Sequence, residues 1–123
     1  MASLKIFDIA GSGMAAESVR LNTVASNIAN VSTPGYKRVD LGRTFEQELI
    51  KTIDGRDAAK IAALDPLVET DSLTPSTRAD GNNVQLDSEL LKLTTNTMNF
   101  DALSQFASGS LKQLRTAITG RPA

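Results

Sequence analysis

Gly11-Ser12-Gly13-Met14-Ala15-Ala16 is the stretch whose spacing comes nearest to a chemical site. It fits the loose G-x-G-x-x-A form of a dinucleotide-binding turn, in which glycines let the backbone approach a pyrophosphate at a helix N-terminus. That turn needs several more parallel strands. The rest of the chain reads as a long helix, a polar stretch and another long helix, so the two glycines are read as a loosened helix start. Asp80-Gly81-Asn82-Asn83 offers oxygen ligands but lacks the alternating spacing and terminal Glu of a calcium loop, and reads as a turn into the last helix. Asn30-Val31-Ser32 matches the glycosylation tripeptide, with no secretory signal to support it. Among 123 residues there is no His and no Cys, which removes the usual general base, the commonest transition-metal ligand and the thiolate nucleophile. The expectation is no enzyme: no catalytic residue, no metal and no cofactor.

Thirteen basic residues against 14 acidic ones give a net charge of −1, so the chain lacks the strong basic excess of a nucleic-acid binder. Aromatic residues make up 4%, with Tyr36 the only tyrosine, which excludes a bulky aromatic core. No apolar run approaches the roughly 20 residues of a membrane-spanning helix. The first residues meet Lys5, Asp8, Ser12 and Glu17 rather than an apolar signal core, so export by a cleavable signal peptide is not expected.

What would position any functional residue is a pair of long helices. Phe7, Ala10, Met14, Glu17, Leu21, Val24, Ile28 and Val31 fall on a 3-4 spacing with one polar member, the pattern of a coiled-coil seam. Gly11 and Gly13 weaken its first turns by about 1 kcal/mol each, which places the confident start near Gly13. A second stripe runs through Leu86, Leu90, Leu93, Thr97, Phe100, Ser104, Ala107, Leu111, Leu114 and Ile118. Asp87 or Ser88 can cap it, and Gly120 followed by Pro122 stops it. Leu91, Met98, Ala102, Leu103 and Phe106 add apolar surface beside this stripe, more than one partner helix can cover.

Between the helices, residues 54–80 hold six acids and three bases, with Pro66 and Pro75 and few large apolar residues. This composition predicts a poorly ordered or irregular linker, ordered only by its neighbours. A short amphipathic helix over residues 44–53, with Phe45, Leu49 and Ile53 on one side, precedes it. The fold class is therefore mostly α and elongated, with long N- and C-terminal helices forming a coiled-coil-like pair. Its segments are 1–36 (helix and turn), 37–53 (short helix), 54–83 (acidic linker, extended or disordered when isolated) and 84–123 (C-terminal helix). Terminal helices that finish their burial only against copies or relatives of the chain would make it an assembly subunit.

The densest signal lies at the end of the first helix. Pro34 and Gly35 favour a type II turn, because Pro fixes its φ near −65° and Gly accepts a positive φ. Asn30, Ser32 and Thr33 can satisfy the last helical carbonyls there, and Asn27 and Asn30 can alternatively offer their amides to a neighbour.

The run "SNIANVSTPGYK" at 26–37, with the following Arg38-Val39-Asp40, resembles the shared N-terminal signature of the bacterial flagellar basal-body rod proteins. "GNNVQLDSE" at 81–89, followed by a long helix, resembles the proximal-rod branch of that family, whereas residues 6–16 look more like a sister branch. Together these cover about two thirds of the chain. The shared signature falls on Asn27, Asn30, Thr33, Pro34, Gly35 and Tyr36, and the branch signature on Gly81, Asn82, Asn83, Val84, Leu86 and Asp87. The resemblance implies a non-enzymatic subunit exported by the flagellar type III apparatus and packed helically into the rod that crosses the periplasm to transmit torque for motility. Implied partners are other copies, other rod subunits, the export-gate adaptor FliE and the membrane-embedded MS ring, with no nucleic acid and no small-molecule substrate. The expected assembly residues are Met14, Leu21, Val24, Asn27, Ile28, Asn30, Thr33, Pro34, Gly35, Tyr36, Gly81, Asn82, Asn83, Leu90, Leu93, Phe100, Leu111, Leu114 and Ile118. The alternative class is a small helical adaptor or chaperone-like module that binds a partner's helices without polymerising.

Overall fold

The computed structural model describes residues 2–55 and 58–121. Two long helices, α1 (Ala2–Ala29) and α4 (Leu86–Thr119), span about 42 and 51 Å at 1.5 Å per residue and pack against each other. They run antiparallel: the Asn27 side chain bonds Glu89, Gly13 faces Leu103, and Ile6 lies beside Leu114. Between them the chain forms strand β1 (Val39–Leu41), helices α2 (Arg43–Asp54) and α3 (Ala58–Ala63), and strand β2 (Val68–Thr70). β1 and β2 pair antiparallel, with Asp40 opposite Glu69.

The α1 stripe packs as its spacing predicts. Ala10, Glu17 and Val24 are buried, and Met14, Leu21 and Ile28 are half-buried beside them. The helix start is a correction, since α1 runs unbroken from Ala2 through both glycines. A Cβ at Gly13 would come within 3.1 Å of a Leu103 methyl, so this glycine lets α4 approach closely. That contact repays some of the helix propensity Gly13 forgoes. The dinucleotide pattern therefore lies wholly inside a helix.

The α4 stripe needs a larger correction. The half-buried or buried row is Glu89, Leu93, Asn96, Phe100, Leu103 and Ala107, whereas Leu86, Leu90 and Leu91 are exposed. Apolar residues occur on several sides of α4, and α1 selects the row carrying Glu89 because Asn27 waits opposite it. Gln85 occupies the N-cap with no side-chain cap bond, so neither Asp87 nor Ser88 takes that role. Gly120, in the left-handed conformation (φ 66°), ends the helix and donates its N–H to the Thr116 carbonyl at 2.8 Å. The stop expected at Pro122 lies outside the described residues.

The middle is also more ordered than its composition predicts. Leu41 and Phe45 bury against Ala16 of α1, with Val19, Leu49 and Leu64 closing round them. Ile61 of α3 is fully buried, and its carbonyl accepts the Ser12 hydroxyl at 2.9 Å. Arg20 joins α1 to α2 by pairing with both Glu17 (2.6 Å) and Glu46 (2.7 Å). Few apolar residues thus suffice, because each docks on a surface that α1 already provides. Within the expected linker, α3 packs on α1 and β2 pairs with β1, while residues 71–85 keep the irregular course expected of them.

Candidate functional site

The two sequence signatures, some 50 residues apart in the chain, come together at one end of the α1–α4 pair. After Ala29 the chain turns through Pro34 and Gly35. Gly35 has φ 72°, and the Tyr36 N–H reaches the Thr33 carbonyl at 3.3 Å, the type II turn expected from Pro-Gly. Against this turn lies the 80–83 loop, where Gly81 has φ 77°. The Gly35 N–H donates to the Asp80 carbonyl at 2.8 Å, and Lys37 Nζ donates to the Gly81 carbonyl at 2.7 Å.

Three asparagines lock the junction. Asn27 is fully buried: its Nδ2 donates to the Val39 carbonyl (2.8 Å) and to Glu89 Oε2 (3.1 Å). Its Oδ1 accepts from the Val39 N–H (2.8 Å) and the Tyr36 hydroxyl (3.3 Å). All four hydrogen-bonding positions of the amide are used, and β1 receives from a side chain the partners a third strand would supply. Asn82, also fully buried, donates Nδ2 toward the Asn30, Val31 and Thr33 carbonyls at 2.9–3.2 Å and accepts the Val84 N–H at 2.7 Å. It ties down the carbonyls of the turn that follows α1. Asn83 Oδ1 accepts the Arg38 N–H (2.7 Å), while its Nδ2 donates to the Asp71 and Thr74 carbonyls (3.1 and 3.0 Å).

Arg38 stands at the centre. Nε donates to Glu89 Oε1 at 3.0 Å, Nη2 to Asp40 at 2.7 Å, and Nη1 to Asp71. One buried guanidinium thus joins β1, the segment after β2 and the first turn of α4. Burial works against its charge, but hydrogen bonds to Asp40 and Asp71 and the field of Glu89 prevail and raise its pKa above the ordinary value. Asp71 is held well below the usual carboxylate range, chiefly by the Thr74 hydroxyl; burial opposes this, and Arg38 and the Thr74 and Leu73 N–H groups add to it. For Asp40, burial is outweighed by Arg38, the Leu41 N–H and Lys92, so its pKa is also lowered.

The expected site residues therefore divide. Asn27, Asn82 and Asn83 are buried here, with Tyr36 and Gly81 half-buried and Thr33, Pro34 and Gly35 exposed on the turn. Asn30 serves its own turn, donating to the Ser26 carbonyl at 2.8 Å and accepting from the Thr33 hydroxyl at 3.1 Å. Leu93 and Phe100 lie half-buried in the seam, whereas Leu90, Leu111, Leu114 and Ile118 are exposed. Sequence reading missed Arg38, Asp71 and Glu89 as one network; the only available signal was an acid at a seam position. Among the described residues no cluster of acids has metal-site geometry, and no helix is long and apolar enough to cross a membrane.

The two signatures thus form a hydrogen-bonded joint between two long helices. A family model described as "Flagella basal body rod protein" matches residues 7–37, which run from α1 through the turn. The flagellar basal body rod protein FlgB of Bacillus subtilis (strain 168) is 30% identical over 113 residues, covering 83% of this chain and 84% of the relative. That of Cereibacter sphaeroides is 32% identical over 109 residues, covering 82% and 84%. FlgC of Buchnera aphidicola is 36% identical but over 64 residues, about half of each chain. The chain belongs to the flagellar basal-body rod protein family. Its likeness to FlgB relatives extends over most of its length, and it is a structural, non-enzymatic component of the flagellar rod.

Proposed function

We propose that the chain is a subunit of the proximal rod, packed helically through α1 and α4 with copies of itself and with other rod subunits, so that torque passes along many parallel helix contacts. One observation carries this reading: the α1–α4 pair leaves Leu91, Met98 and Phe106 exposed along the outer side of α4, more apolar surface than a finished two-helix protein leaves open. In this arrangement residues 1–36 and 84–123 form the shaft layer and 37–83 its flank. Met14, Leu21, Val24, Ile28, Leu93 and Phe100 hold the pair together, and the exposed Leu90, Leu111, Leu114 and Ile118 meet neighbours. Asn27, Asn82 and Asn83 contribute indirectly, by fixing the angle at which the helices leave the junction. The export-gate adaptor FliE and the MS ring are the partners at the base of the rod, and export through the flagellar apparatus brings the chain to the periplasmic space.

Electron microscopy of basal bodies from a strain lacking this chain, with a swimming assay, tests the proposal. Rings without a rod in non-motile cells, restored by the intact gene, are expected; intact rods in swimming cells would contradict it. Val24→Pro, which breaks α1 in its middle at a cost of about 3 kcal/mol or more, is expected to abolish motility as the deletion does.

A further inference from the structure

The seam between α1 and α4 does not close at its far end. Leu93, Phe100, Leu103 and Ala107 lie along α1, but Leu111, Leu114 and Ile118 on the same side of α4 are 55%, 37% and 76% exposed. Ile6 of α1 lies beside Ser110, Gln113, Leu114 and Ala117. Ile6 and Ile9 are themselves more than a third exposed, and an apolar groove remains between the helix ends. Residues 105–121 carry Lys112, Arg115 and Arg121 and no acid, and none of the three makes an ion pair among the described residues. The open end is therefore apolar with a basic rim.

The complementary surface lies on the flank. α2 turns Phe45 and Thr52 inward and leaves Ile50 61% and Ile53 42% exposed beside Asp54. Residues 44–71 carry seven acids against three bases, and Asp54, Asp65 and Glu69 are all exposed. This face is apolar, with Asp54 exposed at its end and Lys51 paired with Glu48 at 3.0 Å, in a segment of net negative charge. It does not cover the open end of its own chain, where Ile118 stays 76% exposed. α2 is anchored at Ala16 and Arg20, and α3 at Ser12, at or behind the level where Gly13 meets Leu103. Ile118 lies 15 residues further along α4, about 22 Å at the helical rise.

We infer that the open α1–α4 end of one copy docks on the outer face of α2 of a second copy, Leu114 and Ile118 against Ile50 and Ile53, with Lys112 and Arg115 facing Asp54. The contact continues a seam that is already built and joins surfaces of opposite charge. It uses two different patches on each copy, so it propagates instead of closing into a dimer. The inference rests on the proposed rod assembly and names its copy-to-copy contact.

The chain has no cysteine, which makes the test direct. Cells would express two tagged copies, one carrying Ile53→Cys and the other Ile118→Cys, and basal bodies would be purified and oxidised. A disulfide-linked band containing both tags, absent when either cysteine is omitted, is the expected result. Both copies present in rods with no such band would overturn the contact while leaving the rod assignment standing; a chain missing from wild-type rods would overturn both. A charge exchange covers the case in which the cysteine variants fail to assemble. Lys112→Glu with Arg115→Glu is expected to abolish motility and Asp54→Lys to restore it in part; no loss, or no restoration, counts against the contact. Binding of the purified chain to phosphatidylglycerol vesicles that is lost in the Lys112→Glu, Arg115→Glu variant and unrelated to Asp54 would assign the end to a membrane and overturn the inference.

Discussion

The two ends of the α1–α4 pair solve opposite problems. At the junction end every buried polar group of Asn27 has a partner, Asn82 holds the turn after α1, and Arg38 meets three carboxylates. At the other end the seam simply runs on into exposed leucine and isoleucine. Burial of hydrogen-bonded polar groups adds little net stability per bond but penalises every alternative geometry, because any displacement leaves a buried group without a partner. Apolar surface has no such directionality and favours whatever covers it. The junction is thus suited to fix a shape inside the subunit, and the open end to gain energy between subunits.

Substitutions should separate the two ends, and the largest effect belongs to Arg38. Replacing it with Met leaves the buried Glu89 with only the more distant Lys92 at 3.8 Å and the half-buried Asp71 with no paired cation among the described residues, and should cost about 3–5 kcal/mol in urea unfolding of the isolated chain. Asn82→Ala removes the amide that joins the Asn30, Val31 and Thr33 carbonyls to the Val84 N–H and should cost about 1–3 kcal/mol by the same measurement. Gly13→Leu drives a side chain into Leu103 and should cost about 1–3 kcal/mol, partly offset by better helix propensity.

Acid should weaken the junction more gently. Asp40 and Asp71 have folded pKa values below the ordinary 3.8, so the unfolded chain takes up protons first as pH falls. Their contribution is complete above about pH 4 and is lost progressively below it, read as a falling thermal midpoint; a midpoint that rises on acidification would contradict the ion-pair assignment. Smallest of all for the isolated chain is Ile118→Ser, expected within about 0.5 kcal/mol of wild type although it should impair rod incorporation. Equal stability losses from Ile118→Ser and Asn82→Ala would erase the distinction between the ends.

What the sequence made legible was local. The seam of α1, the Pro34-Gly35 turn, the turn at Gly81 and the Gly120 stop all depend on residues within a few positions of one another, and each forms as its chemistry requires. Two things were not legible. The packed side of α4 depends on which of several apolar rows meets α1, and the row chosen carries Glu89, a residue that looks like a solvent position until Asn27 and Arg38 are placed opposite. The order of the acidic middle depends on Arg38 reaching Asp71 across 33 positions and Asn83 holding the Asp71 and Thr74 carbonyls. Low apolar content argued correctly against self-burial there. It could not show that the segment docks on a surface made by residues far away in the chain.

Amide hydrogen exchange of the isolated, full-length chain tests the contrast between the ends most directly. The N–H groups of Arg38, Val39, Asn83 and Val84 should exchange slowly, and those of the last two turns of α4, around Leu114 to Ile118, should exchange much faster although both regions are regularly hydrogen-bonded. Slow exchange at the open end, or fast exchange at Val39 and Val84, would contradict the claim that the junction is complete within one chain and the open end is not.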